Sequence, residues 1–314
     1  MNAVALRLGT RRSPMAMAQS GHVAQLLTAR TGRPVDLVGL STLGDVSRAH
    51  LAQIGGTGVF VSALRESLLA GEIDFAVHSL KDLPTSQDAA LVLAAVPPRD
   101  DPRDALVARD GAKLADLPPA ARIGTGSPRR AAQLLMLRPD LRPVPIRGNA
   151  GTRLAKVDAG EVDAVVLAYA GLARIGRLDV VSQLFEPDEM LPAPGQGALA
   201  VECLASRADL AELLGSIDDK ASRAATDAER SLLAALQAGC SAPVGAYAAG
   251  TDVLRLDAIV VSADGGRALR AFAGGPAAEA ERLGRAVAAD LLSNGAGIYT
   301  DVSAGHLSNG EDAK

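Results

Sequence analysis

Short apolar runs alternate with helical patterns along the first two thirds of the chain. The runs Phe75–Val77 and Ala164–Leu167 each follow a glycine that ends a helical pattern, and both predict buried strands. The run Ala198–Cys203 predicts a further strand. The longer stretch Ala221–Leu236 predicts a helix that stops before Gly239. This alternation indicates an α/β fold.

The pattern changes in the last quarter of the chain. The segments Leu254–Val261 and Leu269–Phe272 predict the strands of a hairpin, and a helix is expected from about Pro276 to Leu292. This part is therefore predicted to be a third, smaller α+β domain. The tail from Ser303 is polar, and we expect it to be frayed.

Two turns in the chain repeat each other. The segment Leu8–Ala16 (LGTRRSPMA) is similar to Ile123–Ala131 (IGTGSPRRA), and each lies between an apolar run and a helical pattern. In both, a serine is placed to cap a helix whose first position is proline. The repeat predicts two α/β domains of similar plan.

The second repeat pairs Gly71–Val77 with Gly160–Val166. Gly9 and Gly71 are 62 positions apart but Gly124 and Gly160 are 36 apart, so the first half carries 26 extra residues. These best fit the glycine-rich region at residues 41–60, which is expected to be either a lid or a plain surface loop.

We expect the chain to pass between the α/β domains twice. The first crossing is the proline-rich connector Pro97–Asp104, which suits a hinge. The second crossing is Leu191–Gly197, after which the chain is expected to return to the first sheet. The predicted domains are residues 1–97 with 198–216, residues 98–197, and residues 217–314.

Composition narrows the protein class. Two cysteines in 314 residues argue against a disulfide framework, and neither a signal peptide nor about 18 uninterrupted apolar residues is found. A net charge of −4 and 2% aromatic residues argue against nucleic-acid binding. We expect a cytoplasmic protein, a monomer, that binds no nucleic acid, membrane or metal.

The basic residues are unusual in type and place. Of 32 basic residues only five are lysine, and several arginines lie beside the Gly-Thr and Ser-Pro turns. In an α/β sheet these turns gather at the carboxyl ends of the strands, where helix N-termini favour anions. Codon bias explains the number of arginines but not their clustering. A cleft for a ligand with several carboxylates or phosphates is favoured over a set of solvated surface charges.

The segment His78–Pro84 follows a predicted strand and contains three ionisable residues. Asp82 beside Lys81 is either a structural ion pair or a catalytic carboxylate that stabilises a cation. His78 is expected to be a strand-end histidine rather than a base.

Cys240 lies on a turn of small residues, Gly239–Gly245, where a bulky group could approach the thiol. A free cysteine is more often buried and inert than reactive, so the turn alone leaves both roles open. No zinc-type spacing, phosphate loop or Ser-His-Asp arrangement is found in the sequence.

Together these motifs resemble the porphobilinogen deaminase (hydroxymethylbilane synthase) family, from Arg7 to about Leu292. The most specific segments are His78–Pro84, Thr125–Arg130, Arg147–Leu154, Leu191–Gly197 and Gly239–Gly245. The resemblance implies an α/β fold with two similar hinged domains on the type II periplasmic-binding-protein plan, plus a small C-terminal α+β domain.

The resemblance also implies a reaction. Members of this family join four porphobilinogen molecules head to tail, lose four ammonia molecules and release hydroxymethylbilane in tetrapyrrole (haem) biosynthesis. They build the chain on a dipyrromethane primer held by a thioether to a cysteine. Cys240 matches that cysteine, and Asp82 matches the catalytic carboxylate.

The resemblance assigns further residues to binding roles. Primer-binding positions are Ser79, Lys81, Thr125, Ser127, Arg129, Arg130, Arg147, Gly148, Ala168 and Gly171. Substrate-binding positions are Arg11, Ser13, Phe60, Arg147, Asn149, Arg153, Arg174 and Gln196.

Two departures from the family pattern concern the predicted insertion and a turn. Gln53 and Thr57 stand where many relatives have lysine, and Gly126 stands where relatives often have serine. The insertion therefore lacks the positive charges that lysines at these two positions would supply.

Two other functions fit part of the pattern. A two-domain protein that binds or senses a carboxylate ligand without chemistry would also need an arginine cleft. Cys240 could instead be an ordinary thiol nucleophile, but that role needs a neighbouring base, and none is evident nearby in sequence.

Overall fold

The computed structural model describes residues 4–40, 58–86, 88–239 and 242–300. The strands in these residues are β1 (Leu6–Arg11), β2 (Val35–Leu40), β3 (Phe75–Ser79), β4 (Leu91–Ala95), β5 (Asp104–Ala108), β6 (Arg122–Gly124), β7 (Arg142–Val144), β8 (Ala164–Ala168), β9 (Gln183–Leu184), β10 (Leu199–Leu204), β11 (Val244–Ala249), β12 (Val253–Val261) and β13 (Ala268–Pro276).

The α-helices lie between these strands and after them. They are α1 (Pro14–Thr31), α2 (Gly58–Leu69), α3 (Pro128–Leu137), α4 (Ala150–Asp158), α5 (Tyr169–Arg174), α6 (Ala208–Gly215), α7 (Lys220–Ala235), α8 (Ala280–Ser293) and α9 (Gly297–Thr300). No helix among the described residues is long and apolar enough to cross a membrane.

Two five-stranded sheets share one plan. Their strand orders are β2-β1-β3-β10-β4 and β7-β6-β8-β5-β9. In each, the first three strands are parallel and the fourth runs antiparallel to its neighbours. The fourth strand is the one that crosses from the other half of the chain. This confirms the predicted pair of similar α/β domains, and β10 lies in the first sheet as its apolar run indicated.

The sequence repeat is also a repeat of backbone positions. Gly9 pairs with Ala76 in the first sheet, as Gly124 pairs with Val165 in the second. Gly71 and Gly160, which end the helical patterns before β3 and β8, have φ of 70° and 73°. Only glycine adopts this left-handed conformation without strain, so each marks a true chain reversal.

The two Ser-Pro turns start helices as predicted. The Ser13 hydroxyl accepts a hydrogen bond from the Ala16 amide at 3.3 Å, and the Ser127 hydroxyl accepts one from the Arg130 amide at 3.4 Å. Proline follows each cap at the first helical position, where its missing N–H has no helical partner to lose.

Helices cover both faces of the first sheet. Helices α1 and α6 pack on one face through Leu27 and Leu214, and α2 packs on the other through Leu68. These leucines are fully buried. A fully buried leucine contributes roughly 1.5–3 kcal/mol to folding, so these contacts hold the helices firmly against the sheet.

The third domain is an antiparallel meander, β11-β12-β13, covered by α7 and α8. The two helices approach very closely, because a Cβ at Gly284 would lie 2.2 Å from the Ala228 carbonyl oxygen. Helix α7 agrees with the predicted helix to within one residue at each end. The last helix was expected from about Pro276. Strand β13 pairs with β12 as far as Val253 and Pro276, one 3₁₀ turn follows at Ala277–Glu279, and the α-helix itself begins at Ala280.

The two crossings between the α/β domains touch each other. The Asp100 amide donates to the Gly197 carbonyl at 3.3 Å. Gly197 has φ of 89°, and a Cβ there would lie 2.4 Å from the Asp100 carbonyl oxygen. Any larger residue at position 197 would therefore separate the crossings. The exact domain boundaries stay a prediction.

Candidate active site

The predicted site residues lie at the carboxyl ends of parallel strands in both sheets. Arg11 and Ser79 end β1 and β3, Thr125 follows β6, and Ala168 ends β8. These ends face the crossings between the two domains, which is where open α/β sheets bind ligands.

Asp82 closes a single turn of 3₁₀-helix, Leu80–Asp82, directly after β3. The turn is anchored because the buried Leu80 donates its amide to the Ala198 carbonyl at 3.0 Å, and the Leu83 amide donates to the Leu80 carbonyl. The Asp82 side chain is partly buried and forms no hydrogen bond or ion pair with any residue in the described part of the chain. Its carboxylate is therefore available to a ligand.

Lys81 points into the domain interface. Its Nζ donates to Oε1 of Gln196 at 3.1 Å. Burial, helped by the positive charges of Arg130 and Arg129, lowers the pKa of Lys81 to about 8, although the carboxylates of Asp82 and Asp104 oppose the shift. Lys81 is a cation held in an unfavourable environment, and an added anion would relieve it.

Arg129 and Arg130, at the start of α3, share one fully buried carboxylate. Nε and Nη2 of Arg130 donate to Oδ1 of Asp104 at 3.0 and 2.7 Å. Nη1 of Arg129 lies 2.8 Å from Oδ2 of Asp104. Burial alone would raise the pKa of Asp104, but the two guanidinium groups hold it well below its ordinary value. Burial lowers the pKa of Arg129 in turn, and Asp104 only partly offsets this.

Gln196 connects this buried cluster to Lys81. Its Nε2 donates to Asp104 at 2.8 Å and to the Pro102 carbonyl at 2.7 Å, and its Oε1 accepts from Lys81. Gln196 is fully buried, and both polar atoms of its side chain are used within the protein. These contacts favour a positioning role, and the predicted contact with substrate stays a prediction.

Sequence reasoning missed Asp104. The residue begins the fully buried strand β5, with a charge in an otherwise apolar run, and that contrast was the available signal. The role of this carboxylate depends on Arg129 and Arg130, which lie 25 and 26 positions further along the chain. The sequence alone does not show that these residues pair with Asp104.

A second group of predicted residues surrounds the start of α4. Asn149 caps this helix by accepting from the Thr152 amide at 2.9 Å. Arg153 donates through Nε to the Gly148 carbonyl at 3.0 Å. Gly148 has φ of 107°, and a Cβ there would lie 2.7 Å from Thr152. Arg147 is exposed and has no hydrogen bond or ion pair within the described residues.

Arg153 extends the positive charge of the buried cluster. Burial lowers its pKa, and the charge of Arg130 lowers it further, with no carboxylate opposing the shift. We call Lys81, Arg129, Arg130 and Arg153 the cationic cluster. Among the described residues, two carboxylates, Asp82 and Asp104, oppose these four cations. An excess of buried positive charge is costly, so the cluster favours an anionic ligand.

Hydroxyl groups lie at the same end of the sheets. The Thr125 hydroxyl accepts from the Ser127 amide at 3.1 Å. The Ser79 hydroxyl accepts from Nε2 of Gln19 at 3.2 Å. Each of these hydroxyls keeps a proton that it can donate.

Arg174 is held at the crossings. Its Nε donates to Oδ2 of Asp100 at 2.8 Å, and its Nη2 donates to the Gly197 carbonyl at 2.7 Å. It therefore binds both crossings at once, which favours a structural role over the predicted substrate contact; that contact remains a prediction. One turn earlier, a Cβ at Gly171 would lie 3.2 Å from Cε of Met15, so α5 and α1 touch across the two domains.

His78 points away from the site. It is buried with Nε2 3.4 Å from Oε2 of Glu202, which also forms a bidentate pair with Arg65. Burial would raise the pKa of Glu202, but His78 and Arg65 reverse this and lower it. This arrangement agrees with the predicted strand-end histidine.

Three predicted features lie outside the described residues. These are Cys240, the insertion with Gln53 and Thr57, and the side chain of Phe60. Within the described residues, no group of three or more His, Cys, Asp and Glu side chains is arranged to hold a metal ion.

Two α/β domains with a cationic cluster between them, and beside it a carboxylate without a partner among the described residues, are the features of a class of proteins that bind a small polyanionic molecule between two domains. Two family models identify it further. Residues 6–212 match "Porphobilinogen deaminase, dipyromethane cofactor binding domain", and residues 224–293 match "Porphobilinogen deaminase, C-terminal domain". The chain belongs to the porphobilinogen deaminase family.

Full-length relatives agree. The chain is 60% identical to porphobilinogen deaminase of Thermobifida fusca, covering 97% of this chain and 99% of the relative. It is 57% identical to porphobilinogen deaminase 1 of Streptomyces coelicolor, covering 94% and 97%. Among solved structures, a periplasmic substrate-binding protein of an ABC transporter from Coxiella burnetii is similar over 68% of this chain and 91% of that chain, with 16% identity and a TM-score of 0.43.

Proposed function

We propose that this chain condenses four porphobilinogen molecules head to tail into hydroxymethylbilane, with release of four ammonia molecules, on a dipyrromethane primer attached to Cys240. Family membership supports the reaction. The observation that carries its assignment to this site is the position of the Asp82 carboxylate, which has no partner in the part of the chain that the structure describes and lies beside the cationic cluster. The enzyme is a transferase of tetrapyrrole biosynthesis.

The residues of the site fit a dipyrromethane. Its two pyrrole rings carry acetate and propionate groups, which are negatively charged. The four cations of the cationic cluster outnumber the carboxylates of Asp82 and Asp104 beside them. Nε of Arg129 is buried without a hydrogen-bond partner among the described residues, so a donor is available there. We propose that Lys81, Arg129 and Arg130 bind the primer carboxylates, with Ser79, Thr125 and Ser127 as hydroxyl donors.

Chain backbone completes the proposed primer site. The proposed site includes Gly148, Ala168 and Gly171, which lie at or within one turn of the starts of α4 and α5. Arg147 is exposed at the same edge and can serve primer or substrate. When bound, the dipyrromethane supplies the nucleophilic pyrrole carbon to which the first substrate is joined.

Asp82 is the proposed catalytic residue. Loss of ammonia from porphobilinogen leaves an electron-poor methylene-pyrrole cation, and a carboxylate held beside the pyrrole N–H groups stabilises that charge. The same carboxylate can accept and return a proton in each cycle. Because the 3₁₀ turn fixes Asp82 while the product grows, the growing chain must move past it.

Arginines beyond the cluster are proposed to hold substrate carboxylates. Arg11, Arg147 and Arg153 surround the strand ends, and Ser13 and Asn149 cap helices whose N-termini favour anions. Phe60, Arg174 and Gln196 are also proposed to contribute to substrate binding. Arg174 and Gln196 would do so indirectly, by holding the two crossings in place.

Loss of a substrate-side arginine should stall chain growth at a particular length. Arg153→Gln removes a charged donor worth about 1.5–3 kcal/mol, so one of the four additions should slow by about 10- to 100-fold. Single-turnover mixing with porphobilinogen, followed by intact-mass spectrometry, should show one accumulating covalent intermediate. Wild-type protein should pass through all lengths and release the tetrapyrrole.

Arg207→Gln is the matched control, because Arg207 is exposed and paired with Asp209 away from the site. Equal, small losses at every chain length in Arg153→Gln would contradict the carboxylate-binding role. A wild-type protein that binds porphobilinogen without converting it would instead support the alternative, a ligand-binding protein without catalysis.

Removing the Lys81 charge should stabilise the primer-free protein most at neutral pH. The folded pKa is about 8, and the unfolded value is about 10.4. Below pH 8 the folded protein carries the buried charge at full cost. Between these values the unfolded chain keeps a proton that the folded protein has released, so the free energy of unfolding rises with pH.

The measurement uses Cys240→Ser protein, which should lack primer, with and without Lys81→Met. Urea unfolding should show an advantage of up to about 3 kcal/mol at pH 7 that shrinks towards pH 10. The exposed Lys113→Met provides the control. An advantage independent of pH would contradict the role of buried charge.

We further propose that the protein works as a cytoplasmic monomer on a small molecule, without nucleic acid or membrane. All proposed contacts come from one chain, so no second copy is needed to complete the site.

A further inference from the structure

Helix α7 carries two adjacent charged residues that face different parts of the site. Glu229 is fully buried and accepts from Arg99 of the first crossing at 2.7 and 3.0 Å, from the Gly195 amide of the second crossing at 2.6 Å, and from the Ala248 amide at 2.8 Å. It thereby fixes the third domain to both crossings. The next residue, Arg230, faces elsewhere.

Arg230 contacts the segment that carries Asp82. Its Nη1 donates to the Leu83 carbonyl at 2.9 Å and lies 3.4 Å from the Leu80 carbonyl oxygen. Its Nη2 donates to the Pro84 carbonyl at 2.8 Å. One guanidinium thus holds three carbonyl groups on both sides of Asp82.

These contacts matter because the Asp82 side chain has no partner of its own in the described residues. The backbone of residues 80–84 therefore determines where the Asp82 carboxylate lies. The amino end of this segment is fixed by the first sheet, through the Leu80 amide and Ala198. Arg230 holds the carbonyls at the other end, next to Pro84, which has no N–H with which to form a backbone hydrogen bond.

We propose that Arg230 is a positioning residue that holds Asp82 in its catalytic place from the third domain. The inference rests on the proposed function. The same helix also precedes the proposed primer anchor in the chain, since α7 ends at Ala235 and Cys240 follows five residues later.

The test compares Arg230→Gln and Arg230→Lys with Arg223→Gln. Arg223 is matched, because it lies on the same helix, pairs with Asp218 and reaches the Leu93 carbonyl of the first domain, but does not contact residues 80–84. For each protein we would measure primer content by intact mass, thermal unfolding, and kcat and KM for porphobilinogen.

Arg230→Gln should fold and carry primer, with KM little changed and kcat lower by about 10- to 100-fold, the effect expected of a misplacement of about 1 Å. Arg230→Lys should recover part of kcat, because one ammonium cannot hold all three carbonyls. Arg223→Gln should keep wild-type kcat.

Equal kcat in Arg230→Gln and Arg223→Gln would overturn the inference, as would a loss explained entirely by missing primer. Should Arg230→Gln fail to fold, wild-type kcat in Arg230→Lys would overturn it and a lowered kcat with normal primer content would support it. An inactive wild-type protein without primer would overturn the proposed function, and this inference with it. An active wild-type protein with unaffected Arg230 variants would overturn this inference alone.

Discussion

Asp82→Asn should lower kcat by about 10²- to 10⁴-fold while the protein folds and still binds substrate. General acid–base and electrostatic assistance by one placed carboxylate is of this size. The side chain makes no hydrogen bond or ion pair with the described residues. The amide should therefore cost little stability, and the loss would be one of chemistry. Steady-state kinetics with porphobilinogen, together with thermal unfolding, would measure both effects.

Asp88→Asn is the control for this variant. Asp88 is exposed a few residues further along the same loop region, and its carboxylate accepts from the Ala90 amide at 2.9 Å. It should retain near wild-type kcat. Near-normal turnover in Asp82→Asn would remove the catalytic role assigned to that residue.

Cys240→Ser should abolish turnover, because no thioether can form and the growing chain has no attachment point. The variant should still fold, since it replaces one atom by another of similar size. Porphobilinogen consumption and ammonia release should both fall to the uncatalysed background. Residual turnover close to that of the wild-type protein would show that attachment at Cys240 is not required.

Cys203→Ala provides the matched thiol control. Cys203 is fully buried in the core of the first sheet, and burial raises the pKa of its thiol to about 11. A thiol in that setting is inert. The variant should therefore keep its primer and its activity, with at most a modest loss of stability from the smaller side chain. Loss of primer in this variant would mean that the two cysteines had been assigned the wrong roles.

Local signals in the sequence were sufficient for most of the fold. The Ser13 and Ser127 caps with their prolines, and the glycines before β3 and β8, each depend on a few neighbouring residues. The repetition of these signals predicted two domains of one plan, which the matching strand orders confirm. Where the signal was weak, as between Leu269 and Ala280, sheet pairing extended β13 to Pro276, and one 3₁₀ turn separates that strand from the α-helix.

The site was only partly predictable, because its physics depends on distant partners. Arg129 and Arg130 were expected to bind a ligand, but Asp104, which pairs with both, gave only the signal of a charge in a buried strand. Arg174 was predicted from its position after β8, yet its contacts are with the crossings. Arg230 gave no local signal, because the carbonyls that it holds are about 150 positions away.

The central claim is that this chain carries its primer on Cys240. Intact-mass spectrometry of the purified wild-type protein tests it most directly, with Cys203→Ala and Cys240→Ser measured alongside. The wild-type and Cys203→Ala proteins should be heavier than their sequences by two pyrrole units, and Cys240→Ser should show its sequence mass. A wild-type protein that is unmodified yet active would contradict the claim.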